Sequence, residues 1–186
     1  MGDLSQGVVG SSYFDRALQG QVFAAYATVT APVIWTTAAG TGGPLLWNNT
    51  GIADKPVNAV LLGVTCAVSV VSTVAAAIGI TGGSGQTSAP GTATAIDSVA
   101  NLRIGGPAPR CNTYRIGTPS AAGDFFLPLL GLSTGALTVD NEIIGFIPLD
   151  GMVVVPPGSW VSIAASATAT TSQLELGLIW AEIPVL

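Results

Sequence analysis

Apolar and polar positions alternate with a period of two near the end of the chain. Leu174, Leu176, Leu178 and Trp180 share one parity, while Glu175 and Gly177 take the other. Successive side chains of an extended strand point to opposite faces, so this spacing predicts a strand over Gln173–Ile183 with one face in a core. Just upstream, Met152–Val155 runs into Pro156-Pro157-Gly158-Ser159. There proline fixes φ and glycine supplies a positive φ, a turn that releases the chain into a strand over Ser159–Ala167. Short apolar runs bounded by Gly, Pro, Asn or Asp recur from residue 21 onward, which is the pattern of a sandwich or barrel. They predict strands at Val22–Thr30, Val33–Thr37, Leu45–Trp47, Ala59–Val71, within Val74–Ile80, and at Ala93–Val99. Further strands are expected at Thr113–Arg115, Phe125–Leu130, Glu142–Pro148 and Met152–Val155.

Helices have little room. Stretches of twelve residues are broken by Gly, Pro or dense β-branched side chains, and the exception, Ser11–Tyr26, is interrupted by Gly20. A short helix fits at Tyr13–Leu18. Residues 1–20 read as an arm, rich in Gly and Ser with a few apolar anchors, and residues 21–186 as one β domain. Gly and Pro mark loops at Gly40–Pro44, Thr81–Gly85, Ala89–Gly91 and Gly105–Pro109. The segment Gly79–Thr94 carries no apolar side chain larger than alanine except Ile80, and an exposed loop is expected there.

Val57–Ile80 is uncharged and long enough to cross a bilayer as a helix. Its Val, Thr and Ser content favours strands, no cluster of Lys or Arg lies on either side, and no Trp or Tyr stands at its ends. It therefore reads as β structure, with Val60–Val64 presenting one strongly apolar face, and no membrane span is expected. The N-terminus, with Asp3 and no basic region, does not read as a signal peptide.

Charge changes the picture most. Only 8% of residues are charged, there is no histidine, and net charge is −5; ordinary soluble domains carry roughly a quarter charged residues. The five cations, Arg16, Lys55, Arg103, Arg110 and Arg115, are never adjacent, so the basic stripe that neutralises phosphates is missing and nucleic acid is not an expected partner. A chain so poor in titratable groups is ill equipped for proton transfer and suited to being covered by copies of itself.

The candidate motifs weaken on inspection. Gly131-Leu132-Ser133-Thr134-Gly135 matches a nucleophile elbow, but a triad needs histidine, and a strand-like run follows where a helix belongs. A serine–lysine pair would have to use Lys55, beside Pro56. Asp140, Glu142 and Asp150 read as solvated turn residues, without the spacing of a calcium loop. Gly82-Gly83-Ser84-Gly85 lacks the Lys-Ser/Thr of a phosphate cradle. Cys66 and Cys111 read as small buried hydrophobes, with their pairing left open. The Asn48-Asn49-Thr50 sequon matters only in a secretory route. The tryptophans Trp35, Trp47, Trp160 and Trp180 read as core or interface anchors. No catalytic, cofactor or metal site is expected, and none of these motifs marks an enzyme.

Two stretches carry a resemblance. Pro156-Pro157-Gly158-Ser159-Trp160, followed by Ala/Thr-rich alternation and Leu178-Ile179-Trp180-Ala181-Glu182-Ile183-Pro184, resembles the end of jelly-roll structural proteins of tailed-phage virions. Pro44–Asn49 followed by Val57–Leu62 is similar to the opening strands of that group. The resemblance implies an all-β, single jelly-roll-like antiparallel sandwich with an extended N-terminal arm. It further implies a capsid decoration (cement) protein: a homotrimer on the outer head surface that clamps the major capsid protein, made in the host cytoplasm and resident in the virion. Another virion β-protein, a coat subunit or a glycan-binding fibre or spike module, is the alternative.

Overall fold

A computed structural model describes residues 12–29, 33–36, 43–50, 56–70, 76–85, 91–95, 99–119, 122–132, 144–167 and 173–185. One helix, α1 (Ser12–Leu18), precedes β1 (Val22–Val29), β2 (Val33–Ile34), β3 (Gly43–Trp47), β4 (Val57–Val70) and β5 (Ala76–Gly83). Then follow β6 (Gly91–Ala95), β7 (Ala100–Asn101), β8 (Asn112–Thr118), β9 (Phe125–Leu132), β10 (Ile144–Val155), β11 (Trp160–Ala165) and β12 (Gln173–Pro184).

The strands form two sheets. The smaller runs β10-β4-β12-β1-β7, and the larger runs β6-β8-β3-β11-β5-β9, with β2 added to β11 in parallel. Apart from that short pair, the ladders are antiparallel, and none of them joins strands that are consecutive in the chain. The architecture is an all-β sandwich.

The core follows from strand parity. Leu174, Leu176, Leu178 and Trp180 of β12 point inward, joined by Phe23, Ala25, Ala27 and Val29 of β1. Leu46, Ile78, Ile80, Val161 and Ile163 meet them from the larger sheet. Trp180 is fully buried, its ring 5.8 Å from that of Phe23. The turn after β10 has the expected form: Gly158 sits at φ +82°, and Ser159 N–H donates to Pro156 O at 3.1 Å.

Asn48 clamps the two sheets. It lies at the end of β3, in the larger sheet, and is wholly buried. Its amide nitrogen donates to Val57 O of β4 and Val155 O of β10, both in the smaller sheet, at 2.7 Å each. Its Oδ1 accepts from Thr50 N at 3.2 Å and Thr50 Oγ1 at 2.6 Å, and its backbone pairs with Ser159 O and Gly158 N. The sequon residue is a structural amide with every polar atom engaged.

Four expectations are corrected. In β4, Val60–Val64 does not keep one apolar face. Ile179 lies opposite Gly63 and Trp180 opposite Leu61, so Leu62 is the extra residue of a bulge. Val57, Ala59 and Leu61 therefore face the core before the bulge, Val64 and Cys66 face it afterwards, and Val60 and Leu62 turn outward. Gly79–Thr94 is not one exposed loop, because β5 continues through Gly83 with Ile80 and Thr81 fully buried, and Gly91–Thr94 belongs to β6. Of Val33–Thr37, Val33 and Ile34 form β2, Trp35 and Thr36 are in a turn, and Thr37 lies outside the described residues. Glu142–Pro148 and Met152–Val155 become one strand, Ile144–Val155, interrupted between Pro148 and Val153. Asp150 at φ +47° and Gly151 at φ +81° supply the primed-turn geometry of that interruption. β4 and β5 replace the span that hydropathy alone would suggest, and no helix among the described residues is long and apolar enough to cross a membrane.

Candidate interaction surface

The outer face of the smaller sheet is apolar across four strands. Register places Val154, Val60, Ala181 and Val22 in one row, and Phe146, Thr65, Gly177 and Tyr26 in another. At one end Ala17 of α1 packs over Val22, Leu62 and Ala181. Elsewhere the face is open: Phe146 is 57% exposed, Val154 52% and Met152 71%. The Phe146 ring lies over Gly63, where any Cβ would collide with it. Exposed apolar groups in this density on one face mark an interaction site more often than chance scatter does.

A carboxylate in a neighbouring row has internal hydrogen-bond donors. Glu175 accepts hydrogen bonds from Tyr26 Oη and from Thr28 Oγ1, the latter at 2.8 Å.

The edges decide how such a partner would sit. Long, flat edges invite strand addition. Here Pro128 sits within β9 and Pro148 within β10, and the Asp150–Gly151 excursion bends β10 further. Proline donates no hydrogen bond to an added strand. Neither edge offers a long uninterrupted ladder, which leaves side-chain packing on the face as the better mode of contact.

A second feature lies at the β7 edge. The loop after Asn101 carries Leu102, Arg103 and Ile104 outward, and Ile104 is 100% exposed. The loop is tied down at its base. Asn101 Nδ2 donates to Gly20 O at 2.9 Å and to Pro107 O at 2.7 Å, and its Oδ1 accepts from Arg103 N at 2.8 Å. Leu102 N donates to Val22 O, and Gly106 N to Arg103 O, closing a turn with Gly105 at φ +74°.

Beside this loop is an open cleft of about 560 Å³. Phe23, Pro56, Val57, Pro184 and Val185 supply its apolar lining, and Glu182 its carboxylate. Glu182 is buried at the end of β12 and holds the segment leading into β8. Arg110 N donates to both carboxylate oxygens, at 2.9 and 2.8 Å, and Cys111 N to Oε1 at 2.9 Å. Trp180 Nε1 adds a longer bond at 3.3 Å. A carboxylate held by this many donors is a clamp between sheets rather than a free base.

The cysteines are buried and unpaired with each other. Burial pushes the Cys66 thiol up from 9.0 to about 11. Cys111 rises further, through burial first and then through the charge and hydrogen bond of Glu182. The thiolate is the reactive form, so at pH 8 neither cysteine should react with iodoacetamide until the protein is denatured; labelling of the folded chain would contradict this placement. The folded protein also keeps these protons where the unfolded chain releases them. Stability is therefore whole below about pH 9 and falls as pH rises toward 11.

The other candidate residues do not assemble a site. Asp150 is an exposed turn residue, as expected, whereas Ser133, Lys55, Asp140 and Glu142 lie outside the described residues. Gly82 and Gly83 are strand residues packed against Trp160, and Ser84 N donates to Asp124 Oδ2 at 3.3 Å. Trp47, Trp160 and Trp180 are buried, and Trp35 stacks on Phe126 with centroids 5.6 Å apart. Among the described residues no three His, Cys, Asp or Glu side chains are grouped to hold a metal ion. Sequence reasoning missed Asn48, Glu182 and Ile104. Two signals were present: an acid on the core parity of β12, and an aliphatic residue amid Arg, Gly and Pro. Comparison with known proteins finds no family model, no curated protein and no solved structure that matches the chain.

Proposed function

We propose that this chain is a structural protein of a tailed-phage virion. In this reading it is a decoration (cement) subunit that sits as a homotrimer on the outer head surface and clamps the major capsid protein. The observation that carries the reading is the apolar surface left open on the outer face of the smaller sheet, Phe146 and Val154 of β10 with Tyr26 of β1. Such a face desolvates at low cost because few ions must lose water. Burying it against neighbours also removes an aggregation hazard.

Strand order supports the jelly-roll form of the sandwich. With β2, β6, β7 and β8 set aside as additions, the remaining eight strands lie as β10-β4-β12-β1 and β3-β11-β5-β9. Two Greek keys wound into facing sheets give an order of this kind.

The test is co-sedimentation of the purified protein with expanded heads of tailed phages. Saturable binding at regular sites, seen by electron microscopy, is the expected result. A protein that binds neither heads nor any other virion part would overturn the proposal.

A further inference from the structure

We infer that residues 160–184 are the keystone of the fold: both sheets, and the apolar outer face with them, come into being only when this segment joins the strands made before it. The inference concerns the chain itself and holds whatever the face binds.

Strand order carries it. In the larger sheet β11 lies between β3 and β5, and in the smaller sheet β12 lies between β4 and β1. These are the last two described strands in the chain. Without β11 the larger sheet parts into β6-β8-β3 and β5-β9. Without β12 the smaller sheet parts into β10-β4 and β1-β7. β1 loses most, because all of Val22–Val29 pairs with β12, while only Phe23 and Ala24 pair with β7. Isolated two-stranded pieces are marginal in water. Each would also have to close a long loop before any core repaid the lost entropy.

The core points the same way. Val161 and Ile163 of β11, with Leu174, Leu176, Leu178 and Trp180 of β12, lie within it, each no more than 1% exposed. The burial these side chains supply is comparable with the whole stability of a domain. β12 also ties down the strands around it. The Glu182 carboxylate accepts from Arg110 N and Cys111 N just ahead of β8, and Glu182 N donates to Gln21 O just ahead of β1.

The outer face depends on the same strand. Ala181 lies between Val60 and Val22 in one row, and Gly177 between Thr65 and Tyr26 in the other. Until β12 is in place, Phe146 and Val154 belong to one piece of the sheet and Tyr26 to another. A chain still in synthesis therefore has no continuous face to offer, and copies cannot associate through it before residues 160–184 are free. The late strand thus sets the order of events: folding first, then association.

The test tethers the full 186-residue sequence to stalled ribosomes through a C-terminal Gly/Ser linker of two lengths. The long linker carries Pro184 clear of the exit tunnel, and the short one keeps residues 160–184 inside it. Limited proteolysis is read as the rate of cleavage within β1, β4 and β5, with the released chain as reference. With the long linker these strands should be cleaved as slowly as in the released protein. With the short linker cleavage should be at least about a hundredfold faster. Protection of any of the three strands while residues 160–184 are still in the tunnel would overturn the keystone. So would a long-linker chain cleaved as fast as the short-linker one.

Discussion

Asn48→Ala is expected to lower the unfolding free energy by about 3 kcal/mol. Val57 O and Val155 O lose their amide donor, and Thr50 loses its acceptor. Asn48 is wholly buried, so water has no route to replace it. Val57 O keeps a longer bond from Thr50 Oγ1 at 3.3 Å, which tempers the cost. Asn48→Asp should be worse, because it removes both donor hydrogens and confines a charge against two carbonyls. Urea melts at fixed protein concentration would measure both. A midpoint for Asn48→Ala within error of wild type would refute the clamp.

Glu182 should show a different pattern, because its site is open to a cleft. Glu182→Ala leaves Arg110 N, Cys111 N and the Trp180 indole N–H without their carboxylate. Solvent entering from the cleft can satisfy part of that demand, and the cost of burying a charge disappears. The expected loss is about 2 kcal/mol. Glu182→Leu fills the same space with carbon, keeps water away from the donors and should lose about 4 kcal/mol. That ordering, leucine worse than alanine, separates a hydrogen-bonding clamp from simple packing. The reverse ordering in a thermal or urea melt would contradict the assignment.

The strands that keep strict parity were legible in the sequence. β12 and the Pro156–Ser159 turn follow directly from a period of two and from the φ preferences of proline and glycine. β4 was legible as a strand but not in its faces, since the bulge at Leu62 arises from register against β12, a non-local fact. β5 was half hidden because Gly79, Gly82 and Gly83 look like loop residues. They are strand residues where neighbouring backbone or aromatic rings leave no space for a Cβ, as at Gly79 against Leu127 O and Gly82 against Trp160 O. β7 was too short to carry a pattern. The clamps were obscured for a similar reason. Asn48 reads as a turn residue until β4 and β10 are brought to it, and Glu182 as a strand-end acid until residues 110 and 111 fold over it. Ile104 stood in plain view within a Gly/Pro loop, yet exposure is a property of the fold and not of the sequence. Scarce charge suggested association, and the uncovered face of the smaller sheet gives that suggestion a location.

Light scattering coupled to size-exclusion chromatography tests the central claim most directly. A sandwich whose outer face awaits neighbours should elute as a stable species of about three times the 18.5 kDa chain mass. A single species at the chain mass, at every concentration up to the solubility limit, would contradict the account.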